Sequence, residues 1–112
     1  MTIGIIVAMD KERDLVVSRL QHIDERVEHQ QTFTDGRMGQ HRIVLLQCGI
    51  GKVAAAVGAV ELIRRYQPDC IINTGVAGAL SSAVDVMDVV AAARTVYHDV
   101  DCFTDNPHGR IQ

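Results

Sequence analysis

The chain has 112 residues, of which 47% are hydrophobic, and this composition allows one domain with a small core. The formal net charge is -3, and the only adjacent basic residues are Arg64-Arg65, so nucleic acids and anionic membrane surfaces are not expected partners. The composition therefore favours a small-molecule partner.

No apolar stretch approaches the roughly 20 residues of a membrane span, and Met1 leads into a strand instead of a signal peptide. These features favour a cytoplasmic protein that does not bind a membrane. Three cysteines, Cys48, Cys70 and Cys102, are far apart and lack the CxxC spacing of a zinc site. We interpret all of them as thiols, two of them in the core, and expect neither a metal nor a cofactor.

The first elements are a strand and a helix. Ile3 to Ala8 is a continuous apolar run, which predicts a central parallel strand. A helix of about Lys11 to Leu20 follows, with acidic residues at its start. Its apolar face is predicted to carry Leu15, Val16 and Leu20.

A connector and a hairpin come next. The polar residues from His22 to Gln31 predict a connector that enters a strand near its end. Thr32–Thr34 and Arg42–Gln47 predict two strands of a hairpin. Its turn lies at Asp35-Gly36 or at Met38-Gly39, and Asp-Gly is the stronger marker.

The second half of the chain predicts a strand, helix and strand unit. Gly49-Ile50-Gly51 opens an alanine-rich helix that runs to about Tyr66. Asp69 to Leu80 begins as an interior strand covered on both faces and then breaks into a turn of small residues. A last strand is predicted over about Val86 to Val96. Ligands of open α/β sheets bind just outside the carboxyl ends of such strands.

The glycines at 49 and 51 resemble two phosphate-binding patterns and complete neither. Ala54 replaces the third glycine of the dinucleotide fingerprint, and Val53 stands where a P-loop has Ser or Thr. A tight turn beside the sheet and a helix N-terminus that favours a ligand oxygen are compatible interpretations.

Two places suggest acid-base chemistry. Glu12 lies just past the carboxyl end of the first strand, where a carboxylate can orient or deprotonate a water, although a solvated first-turn Glu fits the same spacing. His98 and Asp99 follow the last predicted strand. Because adjacent side chains rarely face one another, we expect an orienting or interface role for them.

Four motifs carry a family resemblance: MTIGIIVAMDKE, CGIGKVAAAVGA, PDCIINTGVAGAL and VYHDVD. In this order they resemble the N-terminal half of 5'-methylthioadenosine/S-adenosylhomocysteine nucleosidases, bacterial members of the purine nucleoside phosphorylase-like superfamily. The resemblance implies an α/β fold with a mixed central sheet flanked by helices, incomplete in this chain. Residues 1–112 would form the N-terminal half of a single domain. It also implies a homodimer that hydrolyses the N-glycosidic bond of a nucleoside and releases adenine.

Site roles transfer through the matching motifs. The resemblance implies that Glu12 holds the attacking water and that Ile50 contacts the ribose and thioalkyl side. It places Phe103 near the aromatic residue that reaches the partner subunit's pocket, although ungapped alignment puts Asp105 there. The turn beside the sugar would consist of Val76, Ala77 and Gly78.

Three residues depart from the family pattern. Val7, Val76 and Met87 stand where the family has Gly, Ser and Gly. Val76 keeps the backbone N–H but removes a hydroxyl that would position water or sugar. Val7 would narrow the pocket, and Met87 requires a turn that tolerates a Cβ.

Family members are much longer than this chain, and their general acid and purine-binding residues lie beyond Gln112. We therefore expect no catalysis from these residues alone. A nucleoside phosphorylase is an alternative, although Lys11 is the only cation expected nearby. A futalosine-type hydrolase and a non-catalytic nucleoside-binding module are further alternatives. An isolated half-sheet with an unpaired edge would self-associate or need a partner.

Overall fold

The computed structural model describes residues 1–101 and 107–110, which fall into two units, Met1–Ala77 and Gly78–Gln112. All of its described helices and strands lie in the first unit. They are β1 Thr2–Val7, α1 Asp10–Val17, β2 Gln21–Glu28, β3 Gln31–Met38, β4 His41–Gln47, α2 Lys52–Tyr66 and β5 Cys70–Asn73.

The strands form one mixed sheet in the order β2-β3-β4-β1-β5. Strand β1 pairs in parallel with both β4 and β5, so that Ile5 lies between Leu45 and Ile72. Strand β3 is antiparallel to both of its neighbours. The predicted mixed sheet and the interior position of the first strand are confirmed.

Helix α2 packs on one face of the sheet, and two glycines let it approach closely. A Cβ at Gly4 would lie 2.9 Å from Leu62 Cδ2, and a Cβ at Gly58 would lie 2.7 Å from Leu46 Cδ2. Burying one side chain of leucine size contributes about 1.5–3 kcal/mol, so this contact holds sheet and helix together. The core cluster comprises Ile6, Phe33, Val44, Leu46, Cys48 and Leu62.

Helix α1 is shorter than predicted, and only part of its predicted apolar face is covered. It ends at Val17, and none of its residues is buried. Leu15 is 69% exposed, so its predicted place on the apolar face is wrong. Val16 is half-buried, and Leu20 packs beyond the end of the helix against the position of Gly36.

The segment predicted as a connector is instead a full strand, β2, because its backbone pairs with β3 from Gln21 to Glu28.

The hairpin turn also differs from the stronger of its two predicted positions. Asp35-Gly36 lies inside β3, and the chain turns after Met38, where Gly39 has a φ of +59°. Gly36 is needed for a different reason, since a Cβ there would lie 3.1 Å from Leu20 Cβ.

Strand β5 lies at the edge of the described sheet, and Ile72 is 49% exposed. The prediction of an interior strand covered on both faces is therefore wrong for the described residues. The strand predicted over Val86 to Val96 is also not formed in the described second unit. A strand is stable only when a neighbour pairs with its backbone, and no described strand pairs with this segment. Met87 has a φ of +79°, the left-handed conformation that suits glycine.

Candidate functional site

Three parallel strands end together at one edge of the sheet and form an open cleft of about 310 Å³ within the first unit. The carboxyl ends of β1, β4 and β5 each supply part of its wall, as expected for a ligand site in an α/β sheet. The lining residues are Val7, Ala8, Glu12, Cys48, Gly49, Gly51, Lys52, Ala55, Asn73, Thr74, Gly75 and Val76.

Glu12 lies in this wall and is held by the backbone that precedes α1. Its Oε2 accepts hydrogen bonds from the N–H groups of Ala8 at 2.9 Å and Met9 at 3.2 Å. Its Oε1 lies 2.9 Å from the point where a Cβ of residue 75 would be, so Gly75 leaves room for the carboxylate. One oxygen is therefore anchored by amides, and the other lies beside the turn after β5.

Cys48 lies in the cleft beside Glu12 and presents a neutral thiol. Its Sγ–H donates to the carbonyl of Val7 at 3.4 Å, and the side chain is buried. Burial raises the pKa of Cys48, and the negative charge of Glu12 raises it further. Val7 is itself fully buried, so Val7 and the Cys48 thiol contribute uncharged side chains to this part of the cleft.

The loop from Gly49 to Gly51 is a tight turn into α2. Both glycines have positive φ, +83° and +110°, and neither a dinucleotide nor a P-loop geometry is needed to explain them. The first turn of α2 contains no acidic residue, and Lys52 lines the cleft. The cation in the cleft wall is thus Lys52 and not Lys11, which the sequence had placed nearest.

Of the other residues predicted to contact the substrate, the structure places only some in the cleft. Val76 is 84% exposed and lines the cleft, whereas Ile50 is 80% exposed and does not line it. Ala77 is exposed and ends the first unit, and Gly78 begins the second. Phe103 lies outside the described residues.

His98 and Asp99 belong to the second unit and do face each other, contrary to the prediction for adjacent side chains. His98 Nδ1 lies 3.5 Å from Asp99 Oδ1. Both side chains are largely exposed, so the pair has the character of a surface contact.

Within residues 1–101 and 107–110, no group of three or more His, Cys, Asp and Glu side chains is arranged to hold a metal ion. In the same part of the chain, no helix has the length and apolar character needed to cross a membrane.

Sequence reasoning did not assign Cys48 or Lys52 to the cleft, and it assigned Gly75 only to the turn after β5. Cys48 follows the last residue of β4 and Lys52 is the first residue of α2, so a place at the end of an element was the one available signal. Their common place in the cleft depends on the pairing of β1 with β4 and β5, which local patterns do not reveal.

Comparison with known proteins places the chain in a family. The model of the phosphorylase superfamily matches residues 2–111. The chain belongs to the phosphorylase superfamily. Within it, the chain is 44% identical over 101 residues to a 5'-methylthioadenosine/S-adenosylhomocysteine nucleosidase of Listeria welshimeri, and the match covers 90% of this chain and 43% of that protein.

Solved structures of this superfamily repeat the fold. An S-adenosylhomocysteine nucleosidase from Streptococcus pyogenes, in complex with 5-methylthiotubericidin, matches with a TM-score of 0.93 and 40% identity, covering 99% of this chain and 48% of that one. A 5'-methylthioadenosine/S-adenosylhomocysteine nucleosidase from Neisseria meningitidis, in complex with methylthio-immucillin-A, matches with a TM-score of 0.92 and 35% identity. That match covers 98% of this chain and 48% of the other. The chain spans about half the length of these superfamily relatives.

Proposed function

We propose that this chain forms the water-holding half of an enzyme that hydrolyses the N-glycosidic bond of 5'-methylthioadenosine and S-adenosylhomocysteine. The enzyme would release adenine and act as part of a longer or complemented chain. The observation that carries the proposal is the Glu12 carboxylate, anchored through one oxygen by the amides of Ala8 and Met9 and lining a cleft at the strand ends. The relatives' activity and nucleoside-like ligands support the same reaction.

The chemistry suits a fixed carboxylate. Cleavage of the glycosidic bond develops positive charge on the sugar, and an anionic Glu12 near that face stabilises it. The same carboxylate accepts a proton from the attacking water. Because Oε2 already accepts two amide hydrogen bonds, we assign the water to the side of Oε1, next to Gly75.

Substrate contacts follow from the same placement. Val76 in the cleft wall would lie beside the ribose together with Ala77 and Gly78. Ile50, exposed beside the cleft, would contact the thioalkyl side, and Phe103 would contribute to a partner subunit's pocket. We further propose that residues 1–112 are the N-terminal half of one domain and that the complete enzyme is a cytoplasmic homodimer.

Phosphorolysis is the alternative reaction, and the matched relatives, which are named nucleosidases, do not favour it. The two reactions differ in their nucleophile, so the assay is run with and without inorganic phosphate.

The test uses a chimera in which residues 1–101 of this chain replace the matching part of the Listeria welshimeri relative. We expect this chimera to release adenine from 5'-methylthioadenosine without phosphate and to yield free methylthioribose. Replacing Glu12 with Gln should lower kcat by about 10²–10⁴-fold, because a positioned general base contributes this much. Replacing Lys11 with Gln serves as the matched control and should leave kcat unchanged.

Other outcomes would redirect the assignment. Adenine release that requires phosphate, with a sugar phosphate as product, would identify a phosphorylase. Nucleoside binding without turnover in either buffer would identify a binding module. Adenine release by the 112-residue chain alone would contradict the view that the other catalytic groups lie outside it.

A further inference from the structure

Helix α1 carries Glu12, yet little apolar packing determines where this helix sits. None of its eight residues is buried, and Leu15 is 69% exposed. Val16 and Val17 are half-buried, and polar contacts add to this limited packing. At its start, the Gln47 side chain of β4 donates to Asp10 Oδ1 at 2.7 Å. On the side facing the sheet, Arg13 reaches strand β2.

The Arg13 contact is partly shielded from water. Its guanidinium forms an ion pair with Glu25 of β2, in which the Arg13 side chain is 18% exposed and the Glu25 side chain is 42% exposed. The hydroxyl of Thr34, which is fully buried on β3 opposite Glu25, donates to the same Glu25 oxygen at 3.2 Å. Glu25 is thus fixed from one side by Thr34 and from the other by Arg13.

This pair is harder to lose than an ordinary surface pair. A second contact of Arg13, to Asp14 at 3.1 Å, involves an exposed carboxylate. Within the described residues, the buried Nε of Arg13 has no hydrogen-bond partner. Removing Glu25 would therefore leave a partly shielded cation without its main partner, which is more costly than breaking an exposed pair.

We propose that Arg13 is a positioning residue that fixes Glu12 through its link to Glu25 and Thr34. The inference rests on the proposed function, in which Glu12 orients the water. The connection is short. The Arg13 N–H donates to the Met9 carbonyl at 3.1 Å, and the Met9 N–H donates to Glu12 Oε2 at 3.2 Å. Holding Arg13 against β2 therefore holds the turn whose amides bind the carboxylate.

The first test uses the 112-residue chain and NMR. Hydrogen exchange is measured at the amides of Ala8 and Met9, and the carboxyl ¹³C resonance of Glu12 is followed at fixed pH. Replacing Arg13 with Met should speed exchange at both amides about fivefold, the factor that corresponds to losing a pair worth roughly 1 kcal/mol. It should also shift the Glu12 resonance, whereas R13K, which keeps the charge, should restore part of both signals.

The NMR test includes R26M as a matched control and E25Q as a milder variant. Arg26 pairs with Asp24 on the same strand as Glu25, but both side chains are about two-thirds exposed, at 66% and 65%, and R26M should change neither signal. If R13M unfolds α1, seen as lost protection at Val17, then E25Q carries the test, since it removes the charge and keeps the size. Unchanged Ala8 and Met9 amides in both variants would overturn the proposal.

A kinetic test separates positioning from structure. In the chimera, R13M should lower kcat about fivefold and leave KM for 5'-methylthioadenosine unchanged, because Arg13 does not line the cleft. An inactive chimera with the expected NMR result would defeat the proposed function and leave the positioning of Glu12 intact. An active chimera with unmoved amides would defeat the positioning role alone.

Discussion

Gly58 lies where helix α2 packs against Leu46 and Cys48, and Cys48 lines the cleft. Replacing Gly58 with Ala tests this packing directly. A Cβ there would lie 2.7 Å from Leu46 Cδ2, 3.0 Å from Gln31 Nε2 and 3.1 Å from Cys48 Cβ. The Leu46 atom is at the end of a flexible side chain and can move aside. The Cys48 contact is to a Cβ, which can retreat only if the backbone moves with it.

Two opposing effects decide the result. Alanine in a helix interior is better than glycine by about 0.5–1 kcal/mol, because glycine loses more backbone freedom on folding. Forcing an extra carbon into a packed core costs about 1–3 kcal/mol. Because Gln31 is buried and donates to the Ala54 carbonyl at 3.2 Å, displacing it also strains a hydrogen bond. We therefore expect Gly58→Ala to lower the free energy of unfolding by about 1 kcal/mol.

Urea denaturation followed by circular dichroism measures this loss, and thermal melting should show a midpoint about 4–8 °C lower. The matched control is Ala56→Gly, an exposed site on the same helix, which measures the glycine effect without the packing effect. Its expected cost is about 1 kcal/mol. If Gly58→Ala were as stable as the unaltered chain or more stable, the close approach of α2 to β4 would be refuted.

Three further predictions concern the cleft, the helix surface and the second unit. Gly75→Ala brings a Cβ to 2.9 Å from Glu12 Oε1 and should displace the carboxylate. In an adenine-release assay, kcat of the chimera should therefore fall about 10–100-fold. An unchanged kcat would exclude this contact from the mechanism. A hydrogen bond from Arg65 lowers the pKa of Glu61 below 4.5, so its contribution to stability is present above that pH and is lost as the pH falls through the lowered value. Glu61→Gln should therefore make the urea midpoint less dependent on pH below 4.5, and parallel acid curves for the two proteins would contradict this. Met87→Gly should raise the free energy of unfolding by about 1 kcal/mol in a thermal melt, because a φ of +79° is strained for methionine, and an unchanged or lower melting midpoint would argue against this strain.

Elements with a strong local signal were predictable from the sequence. The apolar run of β1 and the alanine-rich segment of α2 appear where the pattern places them, and α2 ends at Tyr66 as expected. Strand β2 was missed because its polar residues lack an alternating apolar face, and only its pairing with β3 makes it a strand. The hairpin turns after Met38, and Gly36 stays within β3, where the lack of a Cβ leaves room for Leu20, a residue distant in the chain.

Some residues of the candidate site were likewise predictable from the sequence, and others were not. Glu12 and the Gly49–Gly51 turn were found because strand ends and glycine-rich turns are visible in the sequence. The role of Gly75 as the neighbour of Glu12, and the link from Arg13 to Glu25, join residues that are far apart in the chain. No local spacing predicts such neighbours.

By itself the sequence determined the α/β class, the interior first strand, the long helix and the family resemblance, since each depends on residues close together in the chain. The tertiary structure decided which strands pair, which glycine makes the turn and how Glu12 is held, since these depend on contacts between distant segments. The Glu12 carboxylate shows both contributions. Its place after β1 follows from local pattern, while the cleft around it exists only because β4 and β5 pair on either side of that strand.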